Sequence, residues 1–264
     1  MSDLTVDAAG FARELLKSDA DYFRAAAFHE HIEGCELLHM PGLSSLAAGC
    51  VVLTGGAESR DALDAVEVRL AELNCGHARF YQKQPDDELE QELVKRGYHR
   101  AEEIGMLHLF GDAGCQQAPS SRVQLRPVES ERDWALKLSL HHDLRRGPDG
   151  HSSAADLWVQ LERRKCEAGY MEPFLIYSED LPCGAVNFAA SLRLGRLKNL
   201  VVHPRWRRRG IGVAAAREII RLAGQRGLPA AGVFALDQGP SQKLYQDAGY
   251  APIVRQVEWW RKLK

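Results

Sequence analysis

Apolar positions from Arg122 onward switch repeatedly between alternation and helical spacing, which predicts a succession of strands and helices. Arg122–Arg126 reads as a short strand, while Glu129–His142 and Ser153–Ala168 read as helices, the second with Leu157, Trp158 and Leu161 on one face. Phe174–Tyr177 and Gly184–Ala190 are strands parted by the turn Glu179-Asp180-Leu181-Pro182. Arg196–Val202 is a further strand, stopped by Pro204. Gly210–Arg226 carries the strongest helical pattern, with Ile211, Ala215, Ile219 and Leu222 at helical intervals and Gly227 placed to end it. Gly232–Leu236 predicts a strand, Ser241–Ala248 a short helix and Ile253–Arg261 a last strand.

The first half has a weaker form of the same rhythm. Cys50–Leu53 and Ala78–Gln82 read as strands, Asp61–Leu73 and Asp86–Arg96 as helices, and Ile104–Phe110 as a closing strand. Both halves end on strand, helix, Gly-Tyr and strand: Glu92–Tyr98 reads E-L-V-K-R-G-Y, and Leu244–Tyr250 reads L-Y-Q-D-A-G-Y. An internal duplication is therefore expected. Between the halves, Gly111–Ser121 holds small and polar residues without apolar periodicity and reads as a linker. The expected division is 1–118 and 119–264, and the expected class is α/β (α+β), a mixed central sheet flanked by helices, in two tandem copies.

Composition narrows the function classes. A chain of 264 residues is long enough for two domains. Its net charge of −2 gives no reason to expect nucleic acid or an anionic membrane as a partner. Six cysteines form no C-x-x-C pair and no zinc spacing with histidine, so reduced thiols, a cytoplasmic setting and no metal are expected. Met1–Phe11 has no apolar core of signal-peptide length, and no apolar run has the length of a membrane span. His141, His142 and His151 lack a carboxylate or cysteine to complete a metal site and read as a solvent-exposed or substrate-facing loop. Trp259-Trp260 on the last strand reads as core or interface packing.

The segment that carries chemistry is Asn199–Ala215, N-L-V-V-H-P-R-W-R-R-R-G-I-G-V-A-A. A strand, a short turn and a helix start leave backbone amides without helical partners, all aimed at one spot, where the helix dipole adds positive charge. Such a site suits a pyrophosphate, and glycine lets the phosphate oxygens approach the amides. Arg207, Arg208 and Arg209 add charge on the approach. Neither G-x-x-x-x-G-K-[ST] nor G-x-G-x-x-G is present, which argues against a nucleotide hydrolase and a dinucleotide-dependent dehydrogenase.

Arg207-Arg208-Arg209-Gly210-Ile211-Gly212 fits [QR]-x-x-G-x-[GA], and with L-V-V-H-P before it and Q-G-P-S-Q-K-L-Y-Q-D-A-G-Y after it resembles the GNAT superfamily of acyl-CoA N-acyltransferases. The resemblance is carried by residues 194–254 and extends more weakly over 122–264. It implies acetyl-CoA as co-substrate and an amine of a small molecule or peptide as acceptor, with direct attack in a ternary complex. It further implies that Leu200, Val201 and Val202 offer backbone groups to the pantetheine arm, and that the amides from Arg208 to Val213 hold the pyrophosphate. Tyr245 falls at the position of the family's general acid, which protonates the departing thiolate. Gln238 stands where the family often has a CoA-contacting asparagine, and is a departure. Glu172, His203 and Asp237 are the candidate general bases. Asp143, Arg145, Arg146 and Asp149, on a loop between two predicted helices, are candidates for reading the acceptor.

In the first half, T-G-G-A-E-S-R lacks the phosphate-turn pattern: Gly55 and Gly56 leave amides free, but Glu58 brings negative charge. Leu93 stands at the position matching Tyr245 and can donate no proton. This copy is expected to be structural or to supply specificity, and tandem members of the family are similarly arranged. Two other readings stand beside transfer from acetyl-CoA: a non-catalytic CoA-binding sensor, and the same fold with another donor (a longer acyl-CoA, an acyl carrier protein or an aminoacyl-tRNA). The expected assembly is a monomer or homodimer.

Overall fold

The computed structural model describes residues 7–55, 58–82, 86–110, 120, 122–144 and 153–263. In chain order the elements of the first half are α1 (Ala8–Arg24), β1 (Phe28–Ile32), β2 (Cys35–His39), β3 (Cys50–Thr54), α2 (Glu58–Asp61), α3 (Leu63–Glu72), β4 (His77–Gln82), α4 (Asp87–Lys95) and β5 (His99–Leu109). Those of the second half are β6 (Gln124–Pro127), α5 (Glu131–Leu144), α6 (Ser153–Glu167), β7 (Met171–Ser178), β8 (Leu181–Ala190), β9 (Leu194–Val202), α7 (Ile211–Gln225), β10 (Ala230–Leu236), α8 (Pro240–Ala248) and β11 (Ala251–Lys262). No described helix is long and apolar enough to cross a membrane.

Two compact units form, but their membership is not linear: one takes 1–18 and 105–254, the other 19–104 and 255–264. This differs from a division at residue 118. β5 and β11 each run from one unit into the other, the unit boundaries falling within both strands. Residues 111–119 and 121 of the expected linker lie outside the described residues.

The smaller unit has the strand order β1-β2-β3-β4-β11-β5. β1, β2 and β3 are antiparallel, and β3 and β4 are parallel. The β3–β4 register pairs Val52–Thr54 with Phe80–Gln82, so these strands stay together to their C-terminal ends. Val257–Lys262 of β11 runs antiparallel to β4. The core gathers Leu37, Val52, Leu63, Val66, Leu70, Phe80, Leu93 and Trp259. Trp259 is almost fully buried, and its indole N–H donates to Gln82 Oε1 at 2.9 Å. Arg79 pairs with Glu258 at 2.6 Å, and Tyr81 Oη donates to the same carboxylate at 3.0 Å. The single helix expected over Asp61–Leu73 is divided into α2 and α3 at Ala62, which keeps right-handed dihedrals.

The larger unit has the order β5-β10-β9-β8-β7-β6. β6 to β9 are antiparallel and β9–β10 is parallel. That parallel ladder covers only Leu194–Arg196 against Ala230–Gly232, at the N-terminal ends of both strands. α7 lies close to β9 because both surfaces are small: a Cβ on Gly195 would meet Ala223 Cβ at 2.7 Å. On α7, Ile211, Ala215, Ile219 and Ala223 are buried at four-residue steps. Gly227 ends the helix at φ +70°, with Leu228 N–H donating back to Ala223 O at 3.1 Å.

Under β8 and β9 the same unit buries a polar group of side chains. Lys137 and His141 on α5, Glu162 on α6 and Asn187 on β8 are all 2% exposed or less. His141 and His142 thus belong to the last turn of α5 and not to a loop, and His141 is in the interior. His151 lies outside the described residues.

Replacing Trp259 by alanine empties the largest fully buried side-chain site and is expected to cost about 3–5 kcal/mol. Trp260, 40% exposed and with its ring tilted against His99, should cost less than about 1 kcal/mol on the same change. Urea unfolding of the two variants measures the difference, and equal losses would contradict this account of the core.

Candidate active site

The phosphate turn begins where β9 ends. His203 N–H donates to Cys183 O at 2.8 Å, the last tie to β8, and Pro204–Trp206 then forms one turn of 3-10 helix. Arg208 and Gly210 both have left-handed backbones, φ +59° and +76°, and Gly210 caps α7. The first α7 amide with a helical partner is that of Ala214, donating to Gly210 O at 3.0 Å. The amides of Ile211, Gly212 and Val213 therefore have no acceptor within the helix. Together with the helix dipole they form a cluster of donors of the kind that suits an anion.

The two glycines are needed for different reasons. Gly210 requires its positive φ, and a Cβ there would sit 2.7 Å from Arg122 Nη1. Gly212 is held by packing, since its Cβ would meet Leu244 Cδ1 of α8 at 2.6 Å. Arg122 was not singled out by the sequence reading. It comes from the start of β6, and its guanidinium donates to Arg209 O at 3.4 Å, adding a fourth cation beside the turn.

Around this turn is a cavity of about 810 Å³. It is lined by Leu200, Val201 and Val202 of β9, by Arg207, Arg208, Gly210, Ile211, Gly212 and Val213 of the turn and α7, and by Tyr245 of α8. Trp206, Leu144, Lys243 and Leu244 also line it. Two predicted members fall outside the wall. Arg209 turns onto the Trp206 ring, 5.2 Å from its centroid. Gln238 is exposed at φ +55°, its backbone N–H donating to Gln242 Oε1 at 3.0 Å. Arg207 Nε donates to Val202 O at 3.1 Å, which ties the turn to the strand end.

β9 is bulged beside the cavity. Ala185 pairs with Val201 but Asn187 with Lys198, so β9 spends one residue more than β8 across this step. Asn199 takes the irregular position at φ +53°. Because β10 left the ladder at Gly232, the β9 segment next to the bulge has no parallel neighbour among the described residues. β8 covers its other edge, so only the edge that β10 has left can meet a ligand.

Tyr245 is 7% exposed and still reaches the cavity wall. Burial pushes its phenol above the usual value, so it stays protonated through the neutral range. The Tyr250 ring crosses it edge-on at 5.9 Å.

The three candidate bases differ in placement. Glu172 pairs with Arg226 at 2.5 Å and stands opposite Phe188, which pairs with Leu197, five residues before the cavity end of β9. His203 accepts from Arg205 N–H at Nδ1 (3.2 Å) and turns Nε2 to Asp143 at 3.3 Å, so neither ring nitrogen holds a spare lone pair toward the cavity. Asp237 follows β10 and is half-buried. Asp143, a candidate acceptor-reading residue, is thus the partner of His203, while Arg145, Arg146 and Asp149 lie outside the described residues. Among the described residues no histidine, cysteine and carboxylate groups come together in a way that could hold a metal ion.

In the smaller unit, the position matching Tyr245 is Leu93, fully buried in the core. Gly55 approaches Gly34 O, where a Cβ would stand at 2.9 Å. Gly56 and the Glu58 side chain lie outside the described residues.

Residues 138–250 match the family described as Acetyltransferase (GNAT) family. No curated protein sequence matches the chain. Among solved structures it resembles a conserved protein of unknown function from Staphylococcus epidermidis, 13% identical, with a TM-score of 0.70 and coverage of 92% of this chain and 96% of that one. A GCN5-related N-acetyltransferase from Kribbella flavida is 14% identical, with a TM-score of 0.67 and coverage of 94% and 95%. A tandem GNAT protein from the clavulanic acid biosynthesis pathway is 9% identical, with a TM-score of 0.53 and coverage of 95% of each chain. Residues 138–250 thus match the GNAT acetyltransferase family, and the chain takes the fold of these structures over nearly its whole length.

Proposed function

We propose that this chain transfers an acetyl group from acetyl-CoA to an amine of a small molecule or peptide. The observation that carries the reading is one cavity bounded by three complementary surfaces: the α7 amides without helical acceptors, the edge of β9 beyond its pairing with β10, and the Tyr245 phenol. The first suits a pyrophosphate, the second an extended arm bearing amides, and the third a leaving thiolate.

In the reaction so assigned, the amine nitrogen attacks the thioester carbonyl, an N–C bond forms and the C–S bond breaks. Tyr245 gives its proton to the sulfur. A phenol in this site is a weaker acid than in water, yet it only has to meet a thiolate as charge develops. The proton lost by the amine goes to solvent or a neighbouring acceptor. No side chain is assigned that part, since Glu172 and His203 are engaged as described.

The smaller unit is assigned no transfer chemistry. Its corresponding strands, β3 and β4, stay hydrogen-bonded to Thr54 and Gln82, and Leu93 replaces the proton donor.

Calorimetric titration with acetyl-CoA tests the donor site. Binding in the micromolar range is expected, weakened at least about tenfold by Gly210→Asp, which brings a carboxylate to the anion site. No binding by the unsubstituted protein would end the acetyl-CoA reading. For Tyr245→Phe, a thiol-release assay should give kcat lower by about 10²-fold or more with KM for acetyl-CoA little changed. Because burial raises the phenol, the alkaline loss of kcat due to Tyr245 should begin above its ordinary pKa of about 10 and vanish in the variant. An unchanged kcat in Tyr245→Phe would remove Tyr245 from the chemistry.

A further inference from the structure

The buried polar group under β8 and β9 is costly for the fold. Glu162 has no exposure, and Lys137 is 1% exposed. Lys137 Nζ stands 2.8 Å from Glu162 Oε2 and donates to Asn187 Oδ1 at 2.6 Å. Asn187 Nδ2 donates to Glu162 Oε1 at 2.9 Å, closing a ring of three side chains from α5, α6 and β8. His141 Nε2 lies 3.9 Å from Glu162 Oε2. Taking an ammonium and a carboxylate out of water costs more than an apolar pair of similar volume, so stability alone does not account for them.

The ring extends toward the site. Asn199 Nδ2 donates to Glu162 Oε1 at 2.8 Å. Asn199 is the residue with φ +53° where β9 carries its extra residue, and Leu200, next in the chain, begins the cavity wall. A non-glycine residue in that conformation persists only where its surroundings hold it. Burial works against ionisation of Glu162, but the Lys137 charge and the hydrogen bonds from Lys137 and Asn199 hold its carboxyl below the usual range. The acceptor for Asn199 is thus a full carboxylate fixed from two helices.

We propose that Glu162, with Lys137 and Asn187, is a positioning device that clamps the Asn199 bulge and so fixes the backbone from Asn199 to Val201 against the thioester end of the donor. It rests on the function proposed above for the thioester, while the clamp itself is a property of the fold. None of these side chains is a catalytic residue: they act through the strand.

The ring also explains why the clamp is ionic. An apolar core would support β9 from below, but it could not dictate which of two backbone conformations Asn199 adopts. A carboxylate fixed by two other partners accepts from Asn199 Nδ2 in one place only.

Two variants test this. Asn199→Gly keeps access to the left-handed backbone and deletes the side-chain tether to Glu162. Lys137→Met with Glu162→Leu removes both charges together, a replacement that buried ion pairs tolerate. Thermal unfolding establishes that each is folded. Backbone NMR order parameters for Asn199–Val201 should fall from about 0.85 to below about 0.6 in both, while Leu194–Leu197 stay rigid. Binding of CoA with its free thiol, measured by calorimetry, should stay within about threefold of the unsubstituted protein, because the phosphate turn is untouched; kcat from acetyl-CoA should fall on the order of 10²-fold. Order parameters that stay at the rigid value in a folded variant would overturn the clamp. A rigid-to-mobile change with kcat unaltered would overturn its link to the reaction. If the unsubstituted protein binds no CoA, the proposed function fails, and the order parameters still decide the clamp.

Discussion

Two parallel strands that part company leave backbone donors and acceptors that must be satisfied elsewhere, and the larger unit is arranged around that constraint. β9 and β10 share a ladder at Leu194–Arg196 and Ala230–Gly232 and then lose it. The α7 N-terminus, the His203–Trp206 turn and α8 gather where the ladder stops, so the gap becomes a cavity with polar backbone on two sides. β3 and β4 keep their pairing to Thr54 and Gln82. One pair of strands that stays closed and another that opens is the clearest physical difference between two similar topologies.

Much of this could be read from the residues. The phosphate turn is a local device: glycines at 210 and 212, the arginines before them and an apolar helix after them lie within one short stretch. Every strand and helix of the second half falls within a few residues of its predicted place. Trp259 and Tyr245 were legible because each sits in a pattern, a strand end and L-Y-x-x-x-G-Y. The first half was read less fully. α1 went unread although Phe11, Leu15, Tyr22 and Phe23 give it an apolar face. β1 reads F-H-E-H-I, mostly exposed, and offers no alternation to find.

What could not be read depends on residues distant in the chain. Arg122 reaches the turn across 87 positions. Asn187, Glu162 and Lys137 look like ordinary polar residues on a strand and two helices, and only the fold puts them inside. Gly212 is constrained by a neighbour on α8, Leu244, which lies 32 positions further along the chain. The compact units also differ from any linear cut, because the pairing of β11 with β4 is invisible to composition.

That membership has a consequence for how the chain is born. A ribosome releases the N-terminal residues first, and domains usually fold as their last residue emerges. Here the smaller unit holds 255–264 and the larger holds both 1–18 and 105–254, so neither set of strands is complete until β11 has been made. Each half, cut at residue 118 and expressed alone, would lack a strand and present a raw sheet edge. The two units are thus completed together in synthesis, and no single cut removes one without taking chain from the other.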